Sequence, residues 1–212
     1  SSVARRSRVT GQALDGPSIE HRCQDDRMTA TFDGKVIVVT GSSRGIGKGL
    51  ATYLGRLGAS VVCAARTVEG ATGEFPGTIH ETVGEIRAAG GRAVAIRCDI
   101  GVESDINALV EGTVADFGRL DVLVNNAGIQ GPIGELWAND WAEWRSVFQV
   151  NLFAPVALGS RCVPEMARRR RGKIITPTGG GATSPRARFP AEAPPKAAHA
   201  PFRKTPHART RG

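Results

Sequence analysis

The feature that most constrains the fold of this chain is an apolar strand pattern that runs directly into a glycine-rich turn. Lys35–Thr40 is a continuous β-branched run, typical of a strand buried on both faces of a parallel sheet. Thr40–Gly47 reads Thr-Gly-Ser-Ser-Arg-Gly-Ile-Gly and precedes a helical pattern that extends to about Leu57. A helix that begins at such a turn offers free N–H groups and a positive dipole end to phosphate. The junction therefore favours a nucleotide-binding fold, although a plain strand-to-helix turn has the same composition.

Strand and helix patterns continue to alternate after this junction. Further strands are predicted at Ser60–Ala64, Ala93–Cys98, Val122–Asn125 and Lys173–Thr176. Helices are predicted near Thr78–Ala89, Glu103–Phe117 and Trp141–Arg169, and the last should bend at Pro155 and Pro164. This order predicts an α/β protein with a three-layer, Rossmann-type, doubly wound parallel sheet that is incomplete at its C-terminal end. Ligands of such sheets bind at the carboxyl ends of the strands.

Composition divides the chain into three segments. Residues 1–30 are polar, Arg-rich and without periodicity, and we expect a disordered extension whose true start is either Ser1 or Met28. Residues 31–176 form the predicted dinucleotide-binding domain. Residues 177–212 hold seven of the twelve prolines, so we expect a poorly ordered, Pro/Arg-rich remnant in which helices are difficult to sustain.

The net charge of +8 belongs to the C-terminal region. Residues 168–212 contain twelve Lys and Arg against one acid, whereas residues 28–167 contain eleven basic and fifteen acidic residues. A solvated basic tail is favoured over a polyanion-binding one, and we expect no nucleic-acid partner. No apolar run is long enough to cross a membrane. Four scattered cysteines and four scattered histidines predict free thiols, no metal site and a cytoplasmic location.

Four ordered motifs carry a resemblance to one enzyme family. The turn has the spacing T-G-x-x-x-G-x-G, Cys98-Asp99-Ile100 follows the third strand, Asn125–Gly128 reads N-N-A-G after the fourth, and Asn151 lies on the next helix. Together they resemble the short-chain dehydrogenase/reductase family over roughly Phe32 to Ile175. The resemblance implies a nicotinamide dinucleotide partner. Its expected binding residues are Gly41, Ser43, Arg44, Gly45, Ile46, Gly47, Arg66, Asp99, Ile100, Asn126, Ala127 and Gly128.

The residues after the second strand indicate which of the two nicotinamide cofactors, NAD or NADP, is preferred. An acidic residue there would bind the ribose 2′-hydroxyl of NAD, but this chain has Ala64-Ala65-Arg66-Thr67. Arg66, helped by Arg44, could pair with a 2′-phosphate. NADP is therefore the favoured cofactor, with NAD as the alternative. A solvated role for Arg66 is the competing interpretation.

The catalytic residues implied by the resemblance are incomplete. Family members use a tyrosine for proton transfer, a lysine four residues later, a serine and an asparagine. Here Lys196 and Asn151 match, but Glu192 stands at the tyrosine position, and Thr178 is the candidate substitute for the serine. The single tyrosine, Tyr53, lies on the first helix. An ordinary glutamate titrates near about 4.3 rather than 10, and a nearby lysine lowers that pKa further, so it is an anion at neutral pH.

The resemblance implies an oxidoreductase that transfers hydride between NADP(H) and an alcohol or carbonyl substrate, with turnover impaired by the loss of the tyrosine. The C-terminal departures suggest a truncated or degraded copy of a longer enzyme. The alternative is a non-catalytic dinucleotide-binding module or an inactive fragment, and residue 192 separates it from an active enzyme. Relatives of this family often form homo-oligomers, which stays an open expectation here.

Overall fold

A computed structural model describes residues 32–68 and 76–178, together with Ala191, Pro194, Pro195, Ala197 and Ala198. Within these residues, five parallel strands form one sheet in the order β3-β2-β1-β4-β5. The strands are β1 (Val36–Thr40), β2 (Ser60–Ala65), β3 (Arg92–Arg97), β4 (Val122–Val124) and β5 (Lys173–Ile175). The predicted strands are therefore confirmed, with ends that differ by one residue. The order reverses between β1 and β4, which creates a crevice at their carboxyl ends.

In the described ranges 32–68 and 76–178, five α-helices connect and cover the strands. They are α1 (Gly45–Arg56), α2 (Ile79–Ala88), α3 (Glu103–Phe117), α4 (Trp141–Phe148) and α5 (Ala154–Arg168). A short 3₁₀ turn occupies Leu136–Ala138 before α4. Helix α2 begins with a complete capping box, in which Thr78 and Glu81 each accept a hydrogen bond from the other's backbone N–H.

The prediction of one continuous helix over Trp141–Arg169 is wrong, because the helix is interrupted. A π-helical segment, Gln149–Phe153, separates α4 from α5. Pro155 lies in the first turn of α5, and its ring nitrogen cannot donate the usual hydrogen bond to the carbonyl of Asn151. The hydrogen-bonding pattern of the helix therefore changes from α to π just before Pro155. Pro164, in contrast, lies inside α5 without dividing it.

Two apolar cores lie on opposite faces of the sheet, which confirms the three-layer fold. In β1, Val36 and Val38 pack towards α3 and α5, whereas Ile37 and Val39 pack towards α1 and α2. All four side chains are at most 3% exposed. The unbroken apolar run in β1 follows from this double burial, because a strand covered on both faces has no side chain directed to water.

The predicted outer segments lie largely outside the described residues. This holds for the disordered extension at 1–30 and for most of the Pro/Arg-rich remnant at 177–212, so both stay predictions. In the described part of the chain, no helix is long and apolar enough to span a bilayer. The same residues contain no group of three or more His, Cys, Asp or Glu side chains arranged to hold a metal ion.

Candidate dinucleotide-binding site

A cleft of about 760 Å³ opens at the carboxyl ends of β1 to β4. Nine of the twelve predicted cofactor-binding residues line it, namely Gly41, Ser43, Arg44, Arg66, Asp99, Ile100, Asn126, Ala127 and Gly128. The remaining three, Gly45, Ile46 and Gly47, form the first turn of α1 directly after this lining. The fold therefore brings the separate sequence motifs to one place.

Glycine is required at two positions of the turn for different reasons. Gly41 has a φ of +69°, a left-handed conformation that disfavours other residues. A Cβ on Gly41 would also lie 2.8 Å from the Cα of Ala127. Gly47 lies inside α1, and a Cβ there would overlap the carbonyl oxygen of Gly41 and the amide nitrogen of Asn126. Both glycines let the turn pack closely against the segment that follows β4.

Hydrogen bonds hold the turn against the ends of β2 and β4. The amide of Gly41 donates to the carbonyl of Ala64 at 2.7 Å. The side-chain amide of Asn126 donates to the carbonyl of Thr40 at 3.0 Å and to that of Gly41 at 3.3 Å. The Thr40 hydroxyl accepts from the amide of Ala127 at 3.1 Å and donates to the carbonyl of Val124 at 3.2 Å. Asn126 thus fixes the turn's shape as well as lining the cleft.

The turn leaves the start of α1 open towards solvent. Ile46 is 81% exposed, and no side chain caps the first turn of α1. No acidic residue occurs in that first turn. The first backbone N–H groups of α1 and the positive end of its helix dipole would therefore stabilise an anion at this surface.

Asp99 and Ile100 form the far side of the cleft, after β3. The carboxylate of Asp99 accepts from the amide of Gly101 at 2.9 Å, while the Asp99 amide donates to Asp105 at 2.9 Å. Ile100 is 7% exposed. The Asp99 side chain is thus held by its own loop in the lining of the cleft.

Arginine dominates the charge of the cleft. Arg44, Arg66 and Arg145 line it, and Asp99 is the single acidic residue among the described lining residues. Arg66 directly follows β2 and is exposed. The cleft therefore has a cationic rim suited to a polyanionic ligand.

The α4 wall of the cleft is a feature that sequence reasoning missed. Ala142, Arg145, Ser146, Gln149 and Val150 all line the cleft. They recur at spacings of three and four, which places them on one helical face. That periodicity was available in the sequence, but its polar composition resembles an ordinary solvated face.

Asn151 belongs to the π-helical segment and is buried against the loop after β4. It is 7% exposed, its Oδ1 accepts from the amide of Ile129 at 2.9 Å, and its Nδ2 donates to the Ile129 carbonyl at 2.7 Å. A Cβ on Gly128 would lie 3.1 Å from Asn151 Oδ1. Asn151 therefore fastens the N-N-A-G loop to the helix that borders the cleft.

The other predicted catalytic residues are only partly described. Thr178 is exposed after β5, and Glu192 and Lys196 lie outside the described residues. The residue before Glu192, Ala191, is fully buried, and a Cβ on Gly131 would lie 3.5 Å from its methyl group. Thr176, two residues before Thr178, accepts a hydrogen bond from the Asn125 side chain at 3.2 Å.

Cys98 is the one thiol among the residues that line the cleft, and its chemistry is suppressed. Burial, followed by the negative charges of Asp105 and Asp99, raises the pKa of the Cys98 thiol to about 12. Burial likewise raises the pKa of Cys63 to about 11 and that of Cys162 to about 12. All three therefore stay protonated at neutral pH, and thiolate nucleophilic chemistry is not a role for Cys98.

Comparison with known proteins agrees with this geometry. A family model described as short chain dehydrogenase matches residues 35–209. Ketoacyl reductase HetN from Nostoc sp. is 38% identical over 146 residues, which cover 68% of this chain and 47% of that protein. The 7alpha-hydroxysteroid dehydrogenase of Escherichia coli K12 is 35% identical over 147 residues, covering 69% of this chain and 54% of the enzyme. The chain thus spans about half the length of these relatives.

Solved structures show the same architecture. A metagenomic short-chain oxidoreductase in complex with NADP superposes with a TM-score of 0.70 at 41% identity, covering 78% of this chain and 71% of that one. A 7 alpha-hydroxysteroid dehydrogenase complexed with NADH and 7-oxo glycochenodeoxycholic acid gives a TM-score of 0.74 at 32% identity, with coverages of 82% and 65%.

Proposed function

Because the chain belongs to the short-chain dehydrogenase family, we propose that its cleft binds a nicotinamide dinucleotide, with NADP(H) preferred over NAD(H). The observation that carries the proposal is the junction of β1 and α1, where an uncapped helix start directly follows the cleft-lining residues Ser43 and Arg44. That helix start is the place for the pyrophosphate, which main-chain N–H groups would bind. Asp99 and Ile100 would border the adenosine. The similar oxidoreductase bound to NADP supports this assignment.

Arg66 is proposed to select NADP by binding its 2′-phosphate, with Arg44 beside it. Both arginines line the cleft, and the two residues directly after β2, Arg66 and Thr67, include no acid that would favour a free ribose hydroxyl. A guanidinium matches phosphate geometry with two parallel hydrogen bonds, so its removal should affect NADPH alone.

The selectivity test compares NADPH and NADH binding to R66Q. We expect the Kd for NADPH to rise about 10- to 100-fold, since a charge-assisted hydrogen bond contributes about 1.5–3 kcal/mol, while the Kd for NADH is unchanged. R56Q, which removes an arginine at the end of α1 away from the cleft lining, is the matched control. An equal loss of affinity for both cofactors, or an unchanged affinity for NADPH, would refute the proposed role of Arg66.

For the reaction, we propose hydride transfer between NADP(H) and an alcohol or carbonyl compound as the ancestral activity, in a cytoplasmic protein. Asn151, Thr178 and Lys196 would be its remaining catalytic positions. Glu192 replaces the phenol that donates a proton to the carbonyl oxygen, and a glutamate ionised at neutral pH has no such proton.

The second candidate function is non-catalytic dinucleotide binding, which the Glu192 replacement favours. Under this proposal, the purified chain binds NADPH but does not oxidise it measurably when offered a panel of ketones and aldehydes. Absorbance at 340 nm follows the reaction, and a related active dehydrogenase provides the positive control. Robust substrate-dependent NADPH oxidation would show that the chain works without the family tyrosine.

A further inference from the structure

The start of α2 contacts the glycine-rich turn at Ser42, which is not among the residues that line the cleft. The hydroxyl of Thr82 donates to the carbonyl of Ser42 at 2.8 Å across 40 residues of sequence. Both residues have no exposed surface. The same hydroxyl lies 3.2 Å from the carbonyl of Thr78, its ordinary partner one helical turn earlier. Thr82 thus makes one contact within its helix and a second, shorter one to the proposed pyrophosphate-binding turn.

Gly77 approaches the same turn from the loop before α2. It has a φ of +139°, and a Cβ there would overlap the carbonyl oxygen of Ser43 and lie 3.2 Å from the Cβ of Arg44. The loop can therefore rest on the turn only because residue 77 is glycine. Two independent contacts, one polar and one steric, place α2 directly behind residues 42–44.

Helix α2 is also joined to the segment that carries Arg66. The amide of Ile79, the first residue of α2, donates to the carbonyl of Thr67 at 3.1 Å. The helix start is itself fixed by the Thr78–Glu81 capping box, with hydrogen bonds of 3.1 and 3.3 Å. One helix end therefore contacts both proposed anion-binding segments, the turn at 42–44 and the Arg66-Thr67 segment.

We propose that Thr82 is a positioning residue for cofactor binding: its hydroxyl, together with the close approach of Gly77, holds the glycine-rich turn in the conformation that receives the pyrophosphate. Thr82 does not touch the cofactor and acts through the Ser42 carbonyl. The inference rests on the proposed dinucleotide binding.

The test uses three variants of the full chain and measures NADPH affinity and thermal unfolding separately. T82V keeps the shape of the side chain but removes the hydroxyl, T82S keeps the hydroxyl, and T113V is the matched control. Thr113 is equally buried on α3, and its hydroxyl donates only to the Leu109 carbonyl of its own helix, at 2.7 Å. T113V should therefore lose a comparable internal hydrogen bond without affecting the turn.

We expect T82V to raise the Kd for NADPH about five- to tenfold, which corresponds to about one hydrogen bond. T82S should restore affinity to within about twofold of the wild-type chain, and T113V should lower Tm without changing the Kd. Equal NADPH affinities for folded T82V and wild type would overturn the inference. So would an equal loss of affinity in T113V, because the effect would then follow stability alone. Failure of the wild-type chain to bind NADPH would instead contradict the proposed function.

Discussion

Asp121 stabilises the end of the sheet opposite the cleft. It is 4% exposed, accepts from the Val36 amide at 3.0 Å, and forms an ion pair with Arg119 at 2.5 Å. Burial by itself would raise the pKa of Asp121, but the hydrogen bonds from Arg119 and Val36, with the positive charges of Arg119 and Lys35, hold it below its usual value. The carboxylate thus joins the starts of β1 and β4.

Acid should remove this contribution to stability. Because the folded-state pKa of Asp121 lies below the unfolded value of about 3.9, its contribution is complete above that pH and is lost as the pH falls through the folded-state pKa. We expect D121N to lower the free energy of unfolding at pH 7 by about 1–3 kcal/mol, as for loss of a charged hydrogen bond. The difference from wild type should shrink below about pH 4.

Urea unfolding at pH 7 and pH 3 measures this effect, with D116N as the control. Asp116 is exposed on α3, and its carboxylate makes no hydrogen bond or ion pair to another described residue. A D121N deficit of the same size at both pH values would show that charge on Asp121 does not contribute.

At the residue scale, the sequence predicts contacts that one local motif requires and misses those between distant segments. Gly41 and Gly47 are predicted because their spacing follows from the turn itself. The contacts of Asn126 with Thr40, and of Thr82 with Ser42, join residues 86 and 40 positions apart. These contacts depend on the strand order and on how α2 packs against the sheet, and local sequence patterns do not determine either.

At the element scale, β1 and β2 were predictable because burial on both faces leaves an apolar run that no surface helix would have. The α4–α5 region was harder, since its apolar spacing continues through the π-helical segment at Gln149–Phe153. A π turn adds one residue to the helical repeat and shifts the faces that follow. Within that segment, Asn151 contacts Ile129, while Gln149 and Val150 line the cleft.

At the scale of the whole molecule, the described sheet ends at β5, where Ile174 and Ile175 are 37% and 42% exposed. The strands that build the cleft, β1 to β4, lie further inside the described sheet or carry α2 and α3 against them. Glu192 and Lys196 lie outside the described residues. The sequence predicts the strands and helices of residues 32–178 well because their patterns are local, whereas the proline-rich segment that follows has no comparable pattern.

The account as a whole depends on dinucleotide binding at the glycine-rich turn, and calorimetric titration with NADPH tests it most directly. Wild type, G47A and G49A form a matched set, since both glycines lie in α1 but a Cβ on Gly49 would meet nothing within 4 Å. G49A should bind like wild type and gain stability of about 1 kcal/mol from helix propensity. We predict saturable heat for wild type and G49A and none for G47A confirmed folded by circular dichroism; no heat with wild type, or unchanged binding by G47A, would contradict the account.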